Sequence, residues 1–157
     1  MIYIEQILAN HILLASVASW GVSQICKIIT NLVIERKFDI KRLFGDGGMP
    51  SGHSATVTCL AVMSGHIAGF DSIMFAIAMI LAIVVMHDAT GVRREAGKHA
   101  VSIKELADAV NKSFLGESES IRTENLKVLV GHTPLQVVFG ALVGIIIAIL
   151  YIIIFLA

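Results

Sequence analysis

Leu135-Gln136-Val137-Val138-Phe139-Gly140-Ala141-Leu142-Val143-Gly144-Ile145-Ile146-Ile147 runs on to Ala157 without one charged residue. A helix needs about 20 predominantly apolar residues to cross the hydrocarbon core of a bilayer, and this stretch supplies them. Three more apolar runs precede it. Ile12–Ile34 is interrupted only by Lys27 and a few small polar residues, and Asp71 separates Ser54–Phe70 from Ser72–Met86. The first and last runs are long enough to span. The middle two are short, and cross only with their flanks included, with local thinning of the bilayer, or as a hairpin that penetrates part-way. The whole chain is 56% hydrophobic and 15% charged, with a mean hydropathy of +0.83, which excludes an ordinary water-soluble domain. The expectation is an all-α integral membrane helical bundle. It forms a single domain over residues 1–157, with about four membrane helices and short amphipathic helices in a polar loop.

No basic region precedes the first apolar run, so that run is expected to stay in the membrane rather than be cleaved as a signal peptide. Cys26 and Cys59 lie inside apolar runs and are expected as buried thiols rather than a disulfide or a metal pair. All 12 Lys and Arg residues lie between Lys27 and Lys127. Threading four helices puts the two long polar connections, Glu35–His53 and Asp88–Pro134, on one membrane face, with Lys27 near it. The positive-inside rule makes that face cytoplasmic, although basic residues gathered to bind a phosphate would produce the same asymmetry. Within the second connection, Val101, Ile103, Leu106, Ala107 and Val110 form a helical stripe suited to lying on the membrane surface. Gly116–Ser120 is expected as a turn and Ile121–Val130 as one more short amphipathic helix. The net charge is zero, and no nucleic-acid partner is expected.

Three polar clusters fall on the charged face. Gly47-Gly48-Met49-Pro50-Ser51-Gly52-His53-Ser54 stands where a loop enters an apolar helix. The first N–H groups of that helix have no internal acceptor, so its terminus suits an anion, with a hydroxyl and an imidazole beside it. An ordinary N-cap at Ser51 or Ser54 accounts for the same residues. The second cluster, His87 to His99, holds Asp88, Arg93, Arg94 and Lys98; the third is Gly131-His132-Thr133-Pro134. Arginine and lysine hold phosphate through charge-assisted hydrogen bonds, one histidine can attack phosphorus, and another can protonate the leaving oxygen. Taken singly, each of these residues is explained as an interfacial anchor. The convergence of three histidine-bearing turns is not. Dispersed carboxylates and the absence of a His-x-x-x-His pair give no metal site. His11 and His66 lie away from this face and are expected to pack or sit at an interface.

Pro50-Ser51-Gly52-His53 matches the central motif of the type 2 phosphatidic acid phosphatases, which share an active site with the vanadium-dependent haloperoxidases. That superfamily usually shows K-x6-R-P, then P-S-G-H, then S-R-x5-H-x3-D. With Asp88-Ala89-Thr90-Gly91-Val92-Arg93-Arg94 and Gly131-His132-Thr133-Pro134, the chain resembles its divergent branch of small membrane proteins from about Gln24 to Gly144. The resemblance implies that Ser51 and the Gly52 backbone bind phosphate oxygens and that His53 protonates the leaving alkoxide. It implies Lys27 and Arg93 as further phosphate ligands, with Arg94 beside them, and a phosphohistidine intermediate formed on His99. No cofactor is implied.

The chain departs from the pattern at several positions. Val92 precedes Arg93 where the family has Ser, and Ile103 stands where its Asp would orient the nucleophile. Asp88, at the end of the third helix, is the available substitute. There is no Arg-Pro in the first element, and Arg36, Lys37, Lys41 and Arg42 compete for the role of its arginine. In the divergent branch the Gly-His-x-Pro turn recurs while the His99 position varies, which makes His132 a rival nucleophile. The expected function is a metal-independent membrane phosphatase acting on a lipid or polyprenyl phosphate or diphosphate. The alternatives are a non-catalytic phospholipid-binding or transport protein that keeps the anion pocket and, more remotely, a haloperoxidase. Small residues at Ser16, Ser19 and Gly21, and at Gly140 and Gly144, permit close helix contact within the bundle or in a homo-oligomer.

Overall fold

A computed structural model describes residues 2–35, 48–114 and 132–156. Six helices occupy them: α1 (Ile2–Leu8), α2 (His11–Glu35), α3 (Gly52–Ala68), α4 (Ile73–Thr90), α5 (Val92–Phe114) and α6 (Pro134–Phe155). The chain is an all-helical membrane bundle. Three helical stretches, starting at His11, Ile73 and Pro134, are long and apolar enough to cross a membrane. α3 has 17 residues, about 26 Å at 1.5 Å per residue, so it falls just short of the roughly 30 Å hydrocarbon core.

The shorter helix is the central one. α3 packs against α2, α4 and α6, and its buried face is built from small residues. On the α6 side, a Cβ at Gly140 would overlap the Ser51 carbonyl oxygen, and one at Gly144 would overlap that of Ala55. The Gly140-x-x-x-Gly144 pair therefore serves packing within one chain, bringing α6 backbone to backbone with α3 and parallel to it. On the α2 side, Ala15 clusters with Cys59, and Ser19 Oγ donates to the Ala55 carbonyl at 3.1 Å, so α2 runs antiparallel. Cys59 is fully buried, Cys26 half-buried, and both thiols are free.

α3 turns back into α4 through Gly69, whose φ of +96° favours glycine, and Ser72 caps α4 by accepting from Phe75 N at 3.1 Å. The Phe70 and Phe75 rings meet edge to face beside Gly65, closing the turn. The ends of α2 and α4 and the beginnings of α3 and α6 thus share one end of the bundle, as the threading of the sequence requires. At the opposite end His11 Nδ1 lies 3.2 Å from the Tyr151 hydroxyl. That contact gives His11 the packing role expected of it, and His66 is exposed in the last turn of α3.

The amphipathic stripe Val101–Val110 of the long connection lies on a helix, which begins at Val92. α5 follows α4 after a break at Gly91 and packs only against α4 among the helices. The expected turn at Gly116–Ser120, the helix at Ile121–Val130, and Arg36, Lys37, Lys41, Arg42 and Gly131 lie outside the described residues.

Candidate active site

Pro50 sits in the turn before α3, and Ser51 is its N-cap with φ −68° and ψ 118°. Its Oγ accepts from Ser54 N at 3.3 Å and from the Ser54 hydroxyl at 3.0 Å, and both serines are fully buried. The Ser51 N–H donates to the Gln136 carbonyl at 3.0 Å, which ties the start of α3 to the first turn of α6. Because Ser54 already uses the Ser51 oxygen, the hydroxyl acts first as a cap. The N–H groups of Gly52 and His53 remain as first-turn donors outside the helical ladder.

α2 closes on this terminus. A Cβ at Gly52 would come 3.2 Å from Ser23 Oγ and 3.6 Å from both Gln24 Nε2 and Trp20 Cδ1. One turn further, Lys27 is only 5% exposed, and its Cγ and Cδ line the space beside Gly48, whose φ is +101°. A buried ammonium at membrane depth is costly and marks function by default. Gln24 is buried too, and its Oε1 has no hydrogen-bond partner among the described residues. Reading of the motifs did not single out Gln24; only its spacing three residues before Lys27, on one helical face, could have signalled it.

His132 is buried at the entrance to α6. Thr133 caps that helix in a capping box with Gln136: Gln136 N–H reaches Thr133 Oγ1, and Gln136 Oε1 accepts the Thr133 N–H at 3.1 Å. The backbone donor fixes which end of the amide is oxygen. His132 Nδ1, 3.1 Å from the same Oε1, must therefore carry the proton. In the neutral ring the lone pair then sits on Nε2, the tautomer a nucleophilic or basic imidazole needs. Gln136 thus supplies to His132 the orienting acceptor that Ile103 cannot supply to His99.

The remaining candidates are placed as follows. His53 is exposed in the first turn of α3, and Asp88 is half-buried in the last turn of α4, at the same end of the bundle. Arg93 and Arg94 stand on the first turn of α5. His99 is exposed on α5, next to Lys98, which pairs with Glu95 at 2.7 Å, and among the described helices α5 packs on α4 alone. The structure therefore gathers Lys27, Ser51, Gly52 and His53 at the α3 terminus. It links His132 to them through α6, and leaves His99 on a separate helix.

The sequence profile of the family described as the divergent PAP2 family matches residues 8–147. The chain belongs to the divergent PAP2 family. Its match covers α2, α3, α4 and α5 entire and most of α6, so every element of this site lies within the family domain. The chain is also 40% identical over 146 residues to the uncharacterized membrane protein YuiD of Bacillus subtilis (strain 168), covering 89% of this chain and 92% of that one. No solved structure matches.

Proposed function

We propose that this divergent PAP2 protein is a membrane phosphatase that hydrolyses a lipid-linked phosphate or diphosphate. The observation that carries the proposal is the buried Lys27, whose side chain lines the turn at Gly48 that leads into the first-turn amides of α3, the turn that carries His53. That geometry binds an anion where an apolar helix reaches the polar face, so a lipid headgroup can be held while its tail stays in the bilayer.

In the reaction we assign, Gly52 and His53 N–H and the Lys27 ammonium hold the phosphoryl oxygens, with Arg93 and Arg94 available from the first turn of α5. His132 Nε2 forms the bond to phosphorus as the ester P–O bond breaks, and the leaving alkoxide takes its proton from His53. The phosphorylated ring is cationic, and its Nδ1–H is stabilised by Gln136 Oε1. Water then attacks phosphorus, gives its proton to His53, and returns His132 to its starting form. To Asp88, at the same end of the bundle in the last turn of α4, we assign the role of orienting His53. His99 is the alternative nucleophile, which would require α5 to swing toward α3.

A binding or transport role without turnover is the second reading. It is favoured by one observation: the acceptor at His132 Nδ1 is the Gln136 amide, which stabilises a cationic ring less than a carboxylate at that nitrogen does. Phosphate release by the purified protein and by His53→Ala, in detergent with chelator present, separates the two. Release by the wild type alone supports a metal-independent phosphatase. Saturable binding of vanadate or a lipid phosphate with no release supports the second.

A further inference from the structure

The donors at the α3 terminus come from two helices, and α2 brings more than Lys27 to it. Gln24 stands one turn before Lys27 on the same face and is only 8% exposed. Its amide abuts the start of α3, where Nε2 would lie 3.6 Å from a Cβ at Gly52. The N–H of Gly52 is a first-turn donor outside the helical ladder. Glycine at this position leaves that N–H and the amide side by side, with no side chain between them.

Packing alone does not account for an amide here. Gln24 Oε1 is buried with no hydrogen-bond partner among the described residues, a cost that methionine or leucine would avoid in a similar volume. The neighbouring serines carry no such cost, since Ser19 Oγ and Ser23 Oγ both donate to backbone carbonyls. What the amide offers in addition is its nitrogen. Nε2 lies on the Gly52 side, and it too is unbonded among the described residues. Together with the Gly52 and His53 N–H groups and the Lys27 ammonium, it makes a patch rich in donors where α2 meets α3.

We propose that Gln24 is a phosphate ligand of this site, with Nε2 donating to a phosphoryl oxygen beside those held by the α3 amides and Lys27. The inference rests on the anion site of the phosphatase reading and adds a ligand to its α2 side. Lys27 acts as a point charge, whereas the planar amide fixes the direction of one oxygen without adding charge. One turn of α2 thus grips the headgroup twice, once by charge and once by direction. A carboxylate at position 24 would do the reverse. It would repel the phosphoryl oxygens and take the N–H groups and the ammonium for itself.

The test titrates the full chain in dodecylmaltoside with decylphosphonate, whose C–P bond is not hydrolysed. It follows Trp20, the only tryptophan, whose Cδ1 borders the same Gly52 position. Lys27, His53, Asp88 and His132, with Arg93 and Arg94 of α5, are common to every variant, as is the ionisation of the phosphonate. Each Kd is therefore read against wild type at the same pH. Gln24→Met should weaken binding by about tenfold or more at every pH. Gln24→Glu should weaken it on the order of 100-fold at about pH 8 and recover toward wild type as pH falls, because the protonated carboxyl regains a donor in the same place. That recovery is internal to one folded protein, so it decides even if Gln24→Met does not fold. A purely structural role gives equal deficits in both variants with no dependence on pH, and overturns the proposal. Wild-type affinity in Gln24→Met, or a wild type that does not bind saturably, overturns it as well. Phosphate release from decyl phosphate, measured alongside, judges the phosphatase reading separately. Release that neither substitution alters leaves the phosphatase standing and removes Gln24 from it. The pH-dependent deficit of Gln24→Glu without release from any protein keeps Gln24 as a ligand and overturns the phosphatase.

Discussion

Gly140→Ala is the sharpest test of how the site is assembled. The added methyl would overlap the Ser51 carbonyl oxygen and come within 2.9 Å of Ser54 Cβ, so both neighbours belong to the cap of α3. To recover an ordinary van der Waals separation α6 must retreat by about 1 Å. That retreat also stretches the 3.0 Å bond from Ser51 N–H to the Gln136 carbonyl past the usual limit. Overpacking of this kind costs about 1–3 kcal/mol, and the lost bond adds about 1 kcal/mol. The better helix propensity of alanine returns about 1 kcal/mol. The net loss is about 1–3 kcal/mol, and at ~2–4 °C per kcal/mol the melting temperature should fall by several degrees. Phosphate release should fall further, on the order of 100-fold, because the anion donors and His132 separate by roughly 1 Å. Thermal unfolding followed through Trp20 fluorescence in detergent, beside single-turnover phosphate release, reads both numbers. A Gly140→Ala protein with wild-type melting and turnover would show that α6 does not press on the Ser51 carbonyl, and the site as described would be wrong.

Three further perturbations separate structure from chemistry. Gln136→Ala removes the acceptor of His132 Nδ1–H and should lower turnover by about 10–100-fold, whereas Gln136→Glu keeps an acceptor and should retain most activity; equal losses in both would point to the helix cap alone. Gln24→Met removes a buried oxygen with no described partner, so stability should hold or rise while KM for a lipid phosphate increases about tenfold. A loss of stability with unchanged kinetics would make Gln24 purely structural. Gly21→Ala, where nothing stands within 4 Å of the new methyl, should stabilise α2 by up to about 1 kcal/mol in unfolding experiments, and any steric destabilisation there would refute the open space beside Gly21.

The membrane helices were legible because their signal is local. Apolar length predicts α2 and α6 within a few residues, and Pro50-Ser51 marks the start of α3. The capping box at Thr133–Gln136 is equally local. The choice between His99 and His132 was not legible, since it depends on which helix each histidine rides. The spacing of Arg93 to His99 matches the superfamily pattern, and both lie on α5, which contacts α4 and not α3 among the described helices, so the spacing by itself does not decide between the two histidines. The polar residues of α2 were obscured for a related reason. In a single sequence Ser16, Ser19, Ser23 and Gln24 look like small interruptions of an apolar run. Their meaning comes from Ala55 and Gly52, more than 25 positions away.

That stripe on α2 also explains where packing ends and chemistry begins. Ser16 Oγ bonds the Ile12 carbonyl at 2.7 Å and Ser23 Oγ bonds that of Trp20 at 2.7 Å, so these hydroxyls are satisfied by their own helix. They act as small residues that let α2 approach α3. Ser19 Oγ is satisfied by the Ala55 carbonyl of α3, whereas Gln24 Oε1 has no partner among the described residues, and Lys27 is the first of the stripe to carry charge. Both are buried, and both face the turn that leads into α3. An unsatisfied buried acceptor costs about 1–3 kcal/mol, which a purely structural helix interface would avoid by using another serine or alanine. The polarity therefore rises along α2 toward the α3 terminus, where the Gln24 amide nitrogen and the Lys27 ammonium are the donors of the stripe nearest a bound headgroup.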